Sequence, residues 1–187
     1  MSRPNWFFAF PVDGAFLEGL PESPAALRRY HPDDVHMTLA FLGGCGESTA
    51  LAALGALDVR LREGAFSAFV VSLGPVVPLG RSKGGYTTLS ALLELGRAEA
   101  TRVLTELRDP LHDIGGVARE KRPAKPHVTI GRVRSRASAE QRAEGLAWAQ
   151  SLDLRNVRAT LDRVALYTWA KERGERRFEI VAERRLG

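Results

Sequence analysis

Two short segments, one in each half of the chain, constrain the fold more than any other feature. "HMTLAFLGG" begins at His36 and "HVTIGRVRS" begins at His127, and each runs histidine, apolar, threonine, apolar. Such apolar runs favour β-strands, in which residues i and i+2 share a face. Each strand should therefore present an imidazole and a hydroxyl on one face and apolar side chains on the other. In the first copy the expected apolar face consists of Val35, Met37, Leu39 and Phe41.

The elements around the two copies occur in a similar order. We predict further strands over 6–12, 66–74 and 86–93, and two at the C-terminal end joined by a turn near Gly174. We predict helices over 48–62, from 97 to Gly115 with a weak point at Pro110, and after the cap Ser138. Ser23 and Pro24 also predict a helix start in "SPAALRRY". This order indicates two related lobes, each contributing one His-x-Thr strand.

Composition limits the class of protein. The 187 residues fit one domain spanning 1–187, and the net charge of +5 is compatible with a polyanionic partner. Cys45 is the only cysteine, so an intrachain disulfide and a cysteine metal cluster are excluded. No apolar run is long enough for a signal peptide or a membrane span. We therefore expect a cytoplasmic monomer that does not bind a membrane.

Two imidazoles in one cleft would supply acid–base chemistry. Since histidine titrates near pH 6.5, one ring can be neutral while the other is protonated near neutral pH. Threonine hydroxyls can donate hydrogen bonds to phosphate oxygens. A metal site built from "HPDDVH" (His31, Asp33, Asp34 and His36) would have no familiar ligand spacing and would leave His127 unused. We expect no metal and no other cofactor.

The doubled motif resembles that of the 2H phosphoesterase superfamily. "FFAFPV", "HMTLAFLG", "KPHVTIGRV" and the closing strand pair are similar to the bacterial and archaeal RNA 2′,3′-cyclic phosphodiesterases, historically called 2′-5′ RNA ligases. Family members often carry an aromatic residue where this chain has Lys125. The resemblance implies an α+β, bilobal fold with two antiparallel sheets facing across a central cleft and helices outside.

The resemblance also implies a reaction and its residues. It predicts hydrolysis of a terminal 2′,3′-cyclic phosphate of RNA to a 2′-phosphate, with His36 as proton donor, His127 as proton acceptor, and Thr38 and Thr129 holding the phosphate. The resemblance also implies a reversible 2′-5′ RNA ligase activity. RNA with a cyclic phosphate end is the expected partner, and tRNA fragments are one candidate source. Two alternatives stay open: a related enzyme for 2′-5′ linked oligonucleotides or other cyclic nucleotides, and a non-catalytic RNA-binding module.

Several residues outside the motifs are weaker candidates for substrate binding. Arg132 occupies the position in the second copy that Phe41 occupies in the first. Either the strand turns there or the arginine reaches the rim of the site. Lys125 belongs to a basic loop that could steer RNA phosphates or be a solvated surface. The other basic residues of the loop are Arg119, Lys121 and Arg122. Tyr86, Tyr167 and Trp169 could stack on bases or pack in the core.

Overall fold

The computed structural model describes residues 3–172 and 174–187. The strands in chain order are β1 (Trp6–Pro11), β2 (Leu27–Arg29), β3 (His36–Gly43), β4 (Phe69–Leu79), β5 (Thr88–Leu93), β6 (His127–Val133), β7 (Arg158–Leu161), β8 (Arg163–Trp169) and β9 (Phe178–Arg185). The helices are α1 (Glu47–Glu63), α2 (Arg97–Gly115) and α3 (Ala139–Gln150).

All strand pairs are antiparallel, and the sheet curls. Its order is β7-β4-β5-β6-β3-β1-β8-β9, with β2 paired to β6 beside β3. The strands of the two predicted lobes meet at β3 and β6, where Met37 and Val128 are partners. Helix α2 packs against β3 and against α1, and α3 packs against β4. The expected α+β fold class is confirmed.

Strand β1 shows how one face of the sheet is covered. Trp6, Phe8 and Phe10 belong to the main hydrophobic core. Phe7 and Ala9 point to the opposite face, as the two-residue period of a strand requires. There they form a second, smaller buried cluster with Ala165 and Tyr167. One face of the sheet therefore carries the core, and the other carries a small aromatic platform.

The two His-x-Thr strands repeat one irregularity. In the β1–β3 pair, Phe8 faces Ala40 and Ala9 faces Thr38, so one residue of β3 is skipped. In the β5–β6 pair, Leu89 faces Gly131 and Ser90 faces Thr129, so one residue of β6 is skipped at the same place. The skipped residues are Leu39 and Ile130, and both are buried. The pairing thus supports the internal repeat that the motifs predicted.

The bulge corrects the predicted position of Phe41. An extra residue reverses the alternation of faces beyond it. Phe41 was expected on the apolar face with Leu39, but it is half exposed and pairs with Phe7 on the opposite face. Arg132, the corresponding residue of the second copy, is likewise exposed and pairs with Thr88. Both side chains therefore lie on the same face as the histidines.

The helix predicted after Ser23 and Pro24 is wrong. The chain makes a turn there and continues as β2, whose Arg28 and Arg29 pair with Arg132 and Gly131 of β6. A capping signal is a local preference, and backbone pairing with a neighbouring strand overrides it. The predicted helices after 47, 97 and 138 are present, and α2 runs through Pro110 without a break.

Two strand predictions need smaller corrections. Strand β4 runs to Leu79, beyond the predicted end at residue 74, and its pairing with β5 is irregular around Pro75. The C-terminal region contains three strands because Asp162 separates β7 from β8. None of the three helices in the described ranges combines the length and apolar character that crossing a membrane requires.

Candidate active site

Each motif histidine is held in the same way. His36 Nδ1 lies 2.6 Å from the carbonyl oxygen of Asp34, and His127 Nδ1 lies 2.7 Å from that of Lys125. In each case the partner is two residues earlier in the chain. A carbonyl accepts only, so Nδ1 carries the proton and donates it. The Nε2 atom of each ring is then left for proton transfer.

The register between β3 and β6 relates the four motif side chains. Because Met37 and Val128 are partners, the same register places His36 opposite Thr129 and Thr38 opposite His127. The two histidines are then diagonal neighbours, which in a regular antiparallel pair are ~7–8 Å apart. Met37 and Val128 point into the core, so the histidines and threonines share the opposite face. The four predicted motif residues are therefore brought together.

Aromatic rings surround His36. The ring centroids of Phe7, Tyr167 and Phe178 lie 5.0, 5.4 and 5.6 Å from its imidazole, and that of Tyr30 lies 6.4 Å away. Phe178 meets the imidazole edge-on at 84°. Within the described ranges, every ring contact of a histidine belongs to His36. The two copies of the motif therefore have different surroundings.

Both imidazoles favour their neutral forms. Burial lowers the pKa of His36 to about 4, the nearby His127 lowers it further, and the Asp34 carbonyl opposes the shift. Burial also lowers the pKa of His127, and the Lys125 ammonium acts in the same direction against the hydrogen bond to its carbonyl. In the free site, burial therefore works against the protonated ring that acid catalysis requires.

The threonines have different neighbours. Thr129 Oγ1 lies 3.1 Å from Ser90 Oγ, and Ser90 is fully buried on β5. The residue paired with Thr38 on β1 is Ala9, which carries no hydroxyl. Ser90 therefore orients one of the two threonine hydroxyls.

The motif face opens into a cavity of about 440 Å³. His36, Thr38 and Phe41 line it from β3, and Arg132 lines it from β6. Of the two alternatives for Arg132, the structure supports the one in which the arginine reaches the rim of the site. Burial raises the pKa of Tyr30, and the positive charge of Arg132 opposes that shift.

Asp34 connects the site to the C-terminal hairpin. Its buried carboxylate accepts hydrogen bonds from the backbone N–H groups of Arg177 at 2.8 Å and Phe178 at 3.1 Å. Its carbonyl accepts from His36. The carboxylate considered as a metal ligand in "HPDDVH" is therefore engaged with backbone donors. No group of three or more His, Cys, Asp or Glu in the described ranges is arranged to hold a metal ion.

The weaker candidates lie in different places. Lys125 is exposed and contributes its carbonyl to His127. Tyr86 donates its hydroxyl to the Arg142 carbonyl of α3 at 2.6 Å, and the cavity lining contains no Tyr86. Tyr167 is buried and stacks on Phe7 with 5.0 Å between ring centroids, whereas Trp169 lines the cavity.

Two of the four basic residues of the basic loop pair with neighbouring acids. Arg119 pairs with Asp113, and Arg122 pairs with Glu120 at 2.7 Å. These pairs leave less positive charge for an anionic ligand than the sequence suggests.

Several residues of the site were not predicted from the sequence, among them Tyr30, Ser90, Phe178 and the anchoring role of the Asp34 carboxylate. Tyr30 and Phe178 lie outside both motifs, so no local pattern connects them with His36. Ser90 could have been found by aligning the two strand pairs, since it stands in the β5 position that Ala9 holds in β1. That alignment requires the pairing register of β1 with β3 and of β5 with β6, which only the structure provides.

We predict that Asp34→Asn destabilises the protein and lowers kcat/KM. The amide can accept only one of the two backbone N–H bonds and turns its own donors toward the other, which costs about 1–3 kcal/mol. Urea unfolding measures the loss. Asp33→Asn is the matched control because Asp33 is exposed and makes only long surface ion pairs. If the two variants had the same free energy of unfolding, the hydrogen bonds of the Asp34 carboxylate would not be stabilising as proposed.

The depressed pKa of His36 predicts a pH-dependent stability. His36 binds a proton near pH 6.5 in the unfolded chain but only near pH 4 in the native protein. The neutral ring therefore contributes fully to the free energy of unfolding above pH 6.5, and this contribution is lost as the pH falls toward 4. The loss amounts to roughly 3 kcal/mol, at about 1.36 kcal/mol per pKa unit. Urea unfolding of the wild type and His36→Gln at pH 7 and pH 4 tests this. If the free energy of unfolding changed by the same amount between pH 7 and pH 4 in both proteins, the prediction of a lowered His36 pKa would be contradicted.

Comparisons with known proteins agree with this geometry. The sequence profile of the 2′-5′ RNA ligase superfamily matches residues 16–173. No curated protein sequence matches the chain significantly. Among solved structures, E. coli LigT complexed with 3′-AMP is similar with a TM-score of 0.70 and 21% identity, over 98% of this chain and 99% of that one.

Two further structures share the fold. TT0787 of Thermus thermophilus is similar with a TM-score of 0.71 and 18% identity, over 97% of both chains. A protein described as a phosphoesterase is similar with a TM-score of 0.68 and 19% identity, over 98% of both chains. The profile match covers most of the chain, and the doubled His-x-Thr site lies within it. The chain therefore belongs to the 2′-5′ RNA ligase superfamily and is a 2H phosphoesterase.

Proposed function

We propose that this protein hydrolyses the terminal 2′,3′-cyclic phosphate of RNA to a 2′-phosphate. The observation that carries the proposal is the matched pair of imidazoles, each bonded through Nδ1 to a carbonyl and each able to transfer a proton at Nε2. The two rings flank a face that also carries two hydroxyls. A cyclic phosphodiester needs a base on one side and an acid on the other, and two histidines can supply both.

In the proposed reaction, His127 Nε2 accepts a proton from water as the water oxygen attacks phosphorus. The bond between phosphorus and the 3′ oxygen breaks, and that oxygen receives the proton from His36 Nε2. The product carries a 2′-phosphate and a 3′ hydroxyl. A proton then returns from His127 to His36 through solvent. When a 5′ hydroxyl attacks in place of water, the same sequence gives a 2′-5′ bond, and its reverse cleaves that bond and closes the cyclic phosphate again.

We propose His36 as the acid, as the resemblance to the 2H phosphoesterases implies. Burial lowers the pKa of His36, so its protonated ring, once formed, is a strong acid. The negative charge of a bound phosphodiester raises the pKa of both rings and so opposes the effect of burial. We therefore propose that His36 becomes protonated when the substrate binds. His127 is less buried and has easier access to water.

The threonines are proposed to hold the phosphate between the rings. Thr38 and Thr129 would each donate to a non-bridging oxygen, and Ser90 would keep the Thr129 hydroxyl in position. No step of this mechanism requires a metal, so turnover should continue in EDTA. We propose a cytoplasmic location, since that is where RNA ends of this kind would be met.

We predict that His36→Ala and His127→Ala each reduce kcat/KM by on the order of 10²-fold or more. The double variant should be little worse than the worse single one, because the two residues act as a unit. Thr38→Val and Thr129→Val should cost less, on the order of 10-fold, since each removes one hydrogen bond. The substrates are a 2′,3′-cyclic phosphate oligonucleotide, a 2′-5′ linked oligonucleotide and cyclic AMP, each with EDTA.

His31→Asn serves as the control, because His31 lies outside the cavity and asparagine keeps its hydrogen-bond acceptor. Near wild-type kcat/KM in either His→Ala variant would rule out the two-histidine mechanism. Faster turnover of the 2′-5′ linkage or of cyclic AMP would replace the proposed substrate with that one. Binding of RNA without turnover of any substrate would favour the non-catalytic module.

The pKa shifts predict a bell-shaped profile with an acidic optimum. The profile of kcat/KM reports the free enzyme, in which the pKa values of both histidines are lowered. The maximum of kcat/KM should therefore lie below about pH 6.5, which is the ordinary pKa of histidine. The two limbs of the profile report the two histidines as a coupled pair rather than either residue alone. The optimum of kcat should lie at higher pH, because bound phosphate raises both pKa values. A kcat/KM maximum on the alkaline side of neutrality would contradict the burial of these rings.

A further inference from the structure

A second concave surface adjoins the active-site cavity. It has a volume of about 470 Å³ and is lined chiefly by arginines. These residues, which we call the arginine groove, are Arg28, Arg132, Arg134, Arg136 and Arg177. Arg132 and Arg177 also line the cavity that contains His36. The groove is therefore continuous with the proposed active site.

The strand pairing explains why the arginines are together. Arg28 of β2 and Arg132 of β6 are direct partners across the sheet. The pairing extends to the next residues, since the N–H of Arg134 donates to the carbonyl of Ala26 at 2.9 Å. Arg132 and Arg134 are two residues apart and so share a face. Like charges placed directly opposite each other in a sheet destabilise it.

Nearby groups orient these arginines but do not neutralise them. Arg28 donates to the carbonyl of Gly174 at 3.2 Å, and Arg134 Nε donates to the carbonyl of Ala25 at 2.9 Å. In the part of the chain that the structure describes, no carboxylate lies within 4.0 Å of the guanidinium groups of Arg28, Arg132, Arg134 or Arg136. The basic loop differs, because Arg119 and Arg122 both have acidic partners. Unneutralised positive charge is thus concentrated beside the active site.

We propose that the arginine groove binds the phosphodiester that precedes the terminal nucleotide of a single-stranded RNA. This inference rests on the proposed function. A 2′,3′-cyclic phosphate is a chain end, so the strand can leave the site in only one direction. Its next phosphate must lie beside the catalytic cavity, where the groove begins. The arginine fork matches the oxygen geometry of that phosphate.

The proposal predicts a length preference and a salt dependence. Each neutralised phosphate of a single strand contributes ~0.7 to the slope of log affinity against log salt. An oligonucleotide should therefore bind more tightly than a mononucleotide, and this advantage should shrink as salt rises. Removing Arg134 and Arg136 should abolish most of the advantage.

The test measures binding apart from catalysis. The probe is a 5′-fluorescent RNA hexanucleotide that ends in a 2′-phosphate, followed by anisotropy at several salt concentrations, with a 2′-phosphate mononucleotide as competitor. The variants are Arg136→Gln, whose side chain makes no described hydrogen bond, and Arg134→Gln/Arg136→Gln. The control is Arg60→Gln/Arg62→Gln on α1, which removes the same charge from an exposed helix on the other side of the sheet.

We expect the groove double variant to lose on the order of 10-fold in hexanucleotide affinity and to have a shallower salt slope by roughly 0.7. Competition by the mononucleotide should change less, and the control should match the wild type. Unchanged hexanucleotide affinity in Arg136→Gln and in a folded double variant would overturn the proposal. Equal competition by a hexaglutamate peptide would also overturn it, since the groove would then bind any polyanion.

These outcomes are distinct from failure of the proposed function. If the wild type hydrolyses no cyclic phosphate, the catalytic proposal fails whatever the binding results are. If it hydrolyses a cyclic mononucleotide and the hexanucleotide equally well, and the groove variants do not alter that equality, the groove proposal fails while the catalytic proposal stands.

Discussion

The pairing of β3 with β6 through Met37 and Val128 is the contact on which the site depends. It is short, yet it fixes the relative register of the two strands that carry the motifs. A shift of one residue would turn His36 and Thr38 into the core and Met37 toward solvent. Because both partners are completely buried, the hydrophobic core resists that shift. The core thus specifies the spacing of the groups that we propose as catalytic.

A repeated β-bulge adds a third position to each motif. Since one residue is skipped at Leu39 and at Ile130, the side chain five positions after each histidine returns to the site face. The first copy places Phe41 there and the second places Arg132. The same backbone device therefore presents an apolar ring on one side and a cation on the other. The proposed substrate has both an apolar base and a charged phosphate, which would match this pair of side chains.

The two copies share backbone geometry but differ in environment. His36 lies among aromatic rings and is tied by Asp34 to the C-terminal hairpin, while His127 is half-buried at the end of a basic loop. Ser90 supports Thr129, but its counterpart beside Thr38 is Ala9. Identical side chains can take opposite roles in proton transfer when their surroundings shift their pKa values differently. In the proposed mechanism, the neighbours rather than the motif therefore distinguish the acid from the base.

The sequence by itself determined the α+β class, the two His-x-Thr strands and the shared face of His36 with Thr38 and of His127 with Thr129. These follow from the two-residue period of a strand, which is local. Only the tertiary structure decided the positions of Phe41 and Arg132, the β-strand at Leu27–Arg29, and the gathering of Tyr30, Asp34 and Phe178 around His36. Each of these depends on which strands pair and in which register. That pairing is set by burial of side chains distant in the chain, and no local pattern encodes it.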